Sequence, residues 1–110
     1  MAERGDQEIQ GYLAAMYLTG KGVPKDDTQA VHWFKKAAEQ GNIEAQYYLA
    51  ILFQKGQGVP KDDTQAVHWF KKAAEQGNIE AQYYLAILFQ KGQGVPKDDT
   101  QAVHWFKKAA

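Results

Sequence analysis

An internal repeat constrains this chain more than any other feature of its sequence. Gly41 to Ala74 recurs letter for letter as Gly77 to Ala110, a period of 36 residues. Gly22 to Gln40 likewise recurs unchanged as Gly58 to Gln76, and only the stretch Asp6 to Lys21 departs from the pattern. Periods of this length belong to solenoids, whose units cannot bury their apolar faces alone and do so by stacking. Neutral drift would have separated the copies at surface positions, where substitutions cost little. The identity therefore means very recent duplication or deliberate design. The 110 residues form a single repeat domain of three units, 5–40, 41–76 and 77–110, the last ending inside its second helix without a cap.

Each unit divides into two helices, A and B. The A helix of the second unit opens at Asn42, a residue whose side chain can cap the first turn, with Glu44 facing the positive helix end. It runs through Lys55 and stops at Gly56, where glycine can take a left-handed conformation. Pro60 in the following loop cannot continue a helix interior. The B helix starts near Asp62, with Gln65 three residues on in a capping-box arrangement, and ends before Gly77. So short a loop makes the two helices antiparallel. Helix A carries Ala45, Tyr48, Leu49, Leu52 and Phe53 at spacings of three and four, and helix B carries Ala66, Val67, Trp69, Phe70, Ala73 and Ala74. Small alanines alternating with large rings let helices approach closely at one level and interlock at the next.

These residues resemble a known family. Ala45, Leu49, Ala50 and Phe53, then Gly56-x-Gly58-Val59, Asp62, Ala66, Trp69, Lys72-Ala73-Ala74 and Gly77, are similar to the Sel1-like repeat, a relative of the tetratricopeptide repeat. The match recurs three times and covers almost the whole chain. It implies an all-α fold, a right-handed α-solenoid of three stacked antiparallel helix pairs. The resemblance further implies that A helices line a concave groove, that B helices form the outer wall, and that the protein is an adaptor holding partner proteins or peptides. Some secreted bacterial members tie each helix pair with a disulfide. This chain has no cysteine, so its pairs must hold by packing.

If the A helices line a groove, the positions that avoid the core are the candidate partner-binding residues. In the second unit they are Glu44, Tyr47, Ile51, Gln54 and Lys55, and in the third Glu80, Tyr83, Ile87, Gln90 and Lys91. The first unit supplies the poorer set Glu8, Gly11, Ala15, Leu18 and Thr19, as an N-terminal capping repeat would. Tyr47 and Tyr83 are the foremost candidates, since a tyrosine offers a rigid apolar face and a hydroxyl at small entropic cost. The alternative is that these rings pack between adjacent A helices and touch no ligand. At the other end, Val103, Phe106 and Ala110 would normally meet a following A helix. They predict an exposed apolar face and head-to-tail self-association. A consensus-type scaffold without an evolved ligand, stacking end to end, is the rival functional reading.

Other function classes find little support. The chain has 13 basic and 13 acidic residues and a formal net charge of +0, whereas a nucleic-acid binder carries a clustered basic excess. No apolar run can span a bilayer and no secretory signal opens the chain, which leaves the compartment undetermined. Without serine or cysteine the usual nucleophiles are missing. His32, His68 and His104 occupy one register position, on the order of 10 Å apart in stacked helices. They therefore cannot share a metal. Asp26-Asp27, Asp62-Asp63 and Asp98-Asp99 read as helix caps, and the lysine pairs of the B helices as a solvated outer face. The sequence points to no enzyme, metal or cofactor.

Overall fold

The computed structural model describes residues 3–110, with side chains from Gly5 onward. Six helices follow in order: α1 (Glu3–Thr19), α2 (Asp27–Glu39), α3 (Ile43–Lys55), α4 (Asp63–Glu75), α5 (Ile79–Lys91) and α6 (Asp99–Ala109). No strand occurs among the described residues. Each A helix packs on the B helix of its own unit, and each B helix packs on the A helix of the next, α2 on α3 and α4 on α5. The result is a solenoid of three stacked helix pairs measuring 43 × 30 × 19 Å.

The local signals act as the sequence predicts. Asn42 Oδ1 accepts from the Ala45 amide at 2.8 Å, and Asn78 repeats the bond to Ala81 at 2.7 Å. Asp26, Asp62 and Asp98 each accept from the amide three residues on, at 3.1 Å. These caps satisfy amides that a helix start leaves without partners. Gly56 closes α3 at φ 69°, in the left-handed region, with its amide donating to the Leu52 carbonyl. The first helix begins at Glu3.

The core is built from alanine layers and a few large side chains. Leu49, Phe70, Leu85 and Leu88 are fully buried, and the alanines of both helix types lie between them. Trp69 and Trp105 are buried, whereas Trp33, in the first described unit, is only half-buried. One expectation for helix A needs correction: Tyr48, assigned to the core by its spacing, is 44% exposed. Gln46, a polar residue on the same helix, is almost completely buried. Gln46 is tolerated there because its amide is spent: Nε2 donates to the Ala38 carbonyl at 3.1 Å, and Oε1 accepts from Gln76 Nε2 at 2.7 Å. Buried polar groups are acceptable when so satisfied.

The units are also joined through their loops. Gly58 and Gly94 lie directly on the first residues of the preceding unit's B helix. A Cβ on either would stand 2.4 Å from the carbonyl oxygen of Asp27 or Asp63. Gly22 has the same backbone twist, but a Cβ there would meet only the Met16 methyl, at 3.3 Å. All three positions carry left-handed strain in any other residue, about 1–2 kcal/mol. At Gly58 and Gly94 the unit junction must also open. In urea denaturation, Gly58→Ala and Gly94→Ala should therefore each destabilise the chain clearly more than Gly22→Ala. Equal losses at the three sites would contradict this junction geometry.

Candidate functional site

The A helices present one face on which acidic, aromatic and basic side chains follow in order. Each opens with a carboxylate, Glu44 or Glu80, and ends with a lysine, Lys55 or Lys91. Those charges match the helix dipole at their respective ends. All four are exposed. Between them lie the half-buried Ile51 and Ile87 and the glutamines Gln54 and Gln90, the first half-buried and the second exposed. The glutamine backbones anchor the following loops. Lys61 Nζ donates to the Gln54 carbonyl at 3.0 Å and pairs with Asp63 at 2.8 Å; Lys97 repeats this with Gln90 and Asp99.

An aromatic belt crosses the units behind this face. Phe34 stacks on Tyr48 with centroids 5.4 Å apart, and Tyr48 meets the edge of Tyr47 at 5.3 Å. Tyr47 reaches both Phe70 and Tyr84 at 6.2 Å, and those two stack on each other at 5.5 Å. Tyr84 then touches Tyr83, which touches Phe106 at 6.1 Å. Offset and edge-on pairs at these distances are favourable beyond the area they bury. The two foremost tyrosines thus sit differently. Tyr47 is half-buried against the next A helix, and burial pushes its hydroxyl pKa up to about 12. Tyr83, its register equivalent in α5, is 49% exposed.

A cleft of about 730 Å³ opens where this face meets the helix N-termini. Gln7 and Glu8 line it from α1, Asn42, Ile43 and Glu44 from the start of α3, and Asn78 from the cap of α5. Glu8 and Glu44 both line it, and Ile43 is the one large apolar side chain among its lining residues. Of the remaining first-unit positions, Gly11 and Leu18 are half-buried and Ala15 is exposed. Thr19 donates its hydroxyl to the Ala15 carbonyl at 2.9 Å. Tyr48 is a partly exposed ring that spacing alone places in the core. Its available signal was the doubled Tyr47-Tyr48, which turns one ring toward each neighbouring unit.

Reactive chemistry finds no constellation here. Among the described residues no group of three histidine, cysteine, aspartate or glutamate side chains is placed to hold a metal. His32, His68 and His104 are exposed, each edge-on to its neighbouring tryptophan at 5.0, 4.8 and 5.0 Å. Among the described residues no helix is long and apolar enough to cross a membrane.

The Sel1 repeat model matches residues 10–42, 43–78 and 79–110. The chain belongs to the Sel1 repeat family. A Sel1 repeat protein from Oxalobacter formigenes is 36% identical over 96% of this chain, with a TM-score of 0.94. A protective antigen present in uropathogenic Escherichia coli strains, displaying an SLR fold, is 40% identical over 98% of the chain, with a TM-score of 0.93. The chain spans 43% and 23% of those two proteins. Helicobacter pylori cysteine rich protein B, 20% identical at a TM-score of 0.77 over 99% of this chain and 89% of its own, shares the fold. No curated protein matches the sequence. Sel1 repeats are commonly protein-interaction modules.

The Tyr47 environment makes a testable statement about this Sel1 solenoid. Its folded-state pKa lies above the ordinary value of 10.0, so folding favours the protonated hydroxyl. The corresponding stability is present below pH 10 and is lost as pH rises toward 12. Urea midpoints should fall over that interval, and Tyr47→Phe should reduce the fall. A fall left undiminished by Tyr47→Phe would contradict the burial assignment.

Proposed function

We propose that the A-helix face is a recognition surface for a protein partner, engaged through an extended peptide segment. The observation that supports this most is the cleft of about 730 Å³ at the Glu44 end of the face. It continues into a stripe of partly apolar positions, Tyr47, Ile51 and Gln54, repeated in the next helix as Tyr83, Ile87 and Gln90. Glu44 on the cleft rim favours a basic side chain on the ligand, and Ile43 below it favours an apolar one. Glu80 continues the acidic edge one unit further. Tyr83 adds an aromatic anchor with part of its ring in solvent. Lys55 and Lys91 on the opposite edge favour acidic ligand groups, so the face would orient a bound segment by charge. Gln54 and Gln90 have the donors and acceptors to bond an extended backbone. The module binds and catalyses nothing in this reading. This reading involves no nucleic acid, because the 13 basic residues are matched by 13 acidic ones, and no membrane insertion.

Panning a random peptide library against the chain at low micromolar concentration tests the proposal. Binders should share an apolar residue flanked by a basic one. Glu44→Gln and Tyr83→Ala, each with an unchanged circular dichroism spectrum, should each weaken a selected peptide by about tenfold, an ordinary loss for a hot-spot contact. No enrichment, or peptides indifferent to both substitutions, would favour a stacking scaffold without a peptide ligand.

A further inference from the structure

A groove opens on the outer wall between successive B helices. Between α2 and α4 it has a volume of about 360 Å³ and is lined by Glu39, Gln46, Trp69 and Lys72 among others. Between α4 and α6 it recurs at about 250 Å³, with Glu75, Gln82, Trp105 and Lys108 in the same register. The two walls of each groove come from successive described units, so the groove is a property of the repeat. The α2–α4 groove shares only Gly41 with the cleft at the Glu44 end of the A-helix face.

Trp69 stands in this groove with an unused donor. The residue is 7% exposed, and its indole N–H has no hydrogen-bond partner among the described residues. Among those residues the only sealed side-chain polar atom without a partner is Gln82 Oε1, so the Trp69 N–H keeps an opening to the surface. An indole N–H donates only, and a buried one usually finds an acceptor. Trp105, 6% exposed, is in the same condition. The groove has no acceptor to offer from its floor, since Gln46 Oε1 already accepts from Gln76 at 2.7 Å. On the rims, the exposed Lys72 and Glu39 side chains pair with nothing among the described residues.

We propose that this groove docks an acidic residue of a protein partner, whose carboxylate accepts from Trp69 Nε1–H and pairs with Lys72 Nζ. Charge complementarity selects this occupant. A carboxylate is both the acceptor that the indole lacks and the anion that Lys72 lacks, and charge-assisted bonds are stronger than neutral ones. Glu39 on the facing rim repels a second carboxylate and favours a basic neighbour in the same segment. A space of about 360 Å³ lies at the small end of ligand pockets and admits side chains rather than a whole helix. Along the wall the charges alternate as Glu39, Lys72, Glu75 and Lys108. Stacked units lie on the order of 10 Å apart, a distance that an extended segment covers in about three residues. A segment with an acidic residue at every third position and a basic one between therefore meets both grooves.

Proton–nitrogen correlation NMR of the indole N–H groups tests the proposal, with the hexapeptide acetyl-Lys-Ala-Asp-Lys-Ala-Asp-amide as probe. Trp33→Phe, Trp69→Phe and Trp105→Phe assign the three signals. The Trp69 and Trp105 signals should move saturably, with a Kd on the order of 1 mM. The Trp33 signal should stay still, because Trp33 lines neither groove. The same peptide with Asn in place of Asp should bind about tenfold more weakly. Lys72→Gln, at an exposed position that leaves the fold intact, should weaken the Trp69 response about threefold to tenfold and remove most of its salt sensitivity. Glu44→Gln should change nothing, which separates this groove from the A-helix face. Immobile Trp69 and Trp105 signals, equal movement of Trp33, equal binding of the Asn peptide, or a response sensitive to Glu44→Gln and indifferent to Lys72→Gln would each overturn the proposal.

Discussion

Everything in this molecule depends on the junction between a B helix and the A helix of the next unit. A helix pair of this size has two apolar flanks and little interior of its own, so it borrows its core from its neighbours. At the junction of the second and third units the parts act together. Phe70 is closed over by Tyr84 and Tyr47, Gly94 settles on the first residues of α4, and Gln82 reaches back to the end of α4. Dispersion, close backbone approach and a buried amide bond all act across one surface. Removing the glycine alone would hold the loop away from the helix and leave the rings and the amide without their spacing.

The same junction explains why identical sequences have different surroundings. Tyr47 and Tyr83 are the same residue in the same local sequence, yet one is half-buried and the other half in solvent. Asp63 and Asp99 differ in the same way. Position along the solenoid, rather than local sequence, sets exposure at these sites. A repeat protein can thus bury a side chain in its middle and offer that same side chain as a contact at its end.

Much of the architecture was legible in the sequence because its signals are local. The caps at Asn42 and Asp62, the left-handed Gly56, and the spacing of Leu49, Leu52, Trp69 and Phe70 depend only on residues a turn or two away. What escaped the sequence depends on the neighbouring unit. Tyr48 has core spacing, but its ring leans on Phe34 of the previous pair and stays partly wet. Gln46 is polar, and only its bonds to Ala38 and Gln76 reveal why it can be buried. The stripe Glu44, Tyr47, Ile51 was found by periodicity. The cleft across its N-terminal end was not, because Gln7, Asn42 and Asn78 converge there from three separate units.

Native-state hydrogen exchange on dilute chain tests the dependence on junctions most directly. If units are held by their neighbours, amides of α3 and α4, flanked on both sides, should be the most protected, with protection falling toward α1 and α6. The sequence identity of α2 and α4 makes the comparison clean, since local propensity is the same in both. Equal protection of α2, α4 and α6, or a terminal pair as protected as the middle one, would contradict the account and return stability to the individual hairpin.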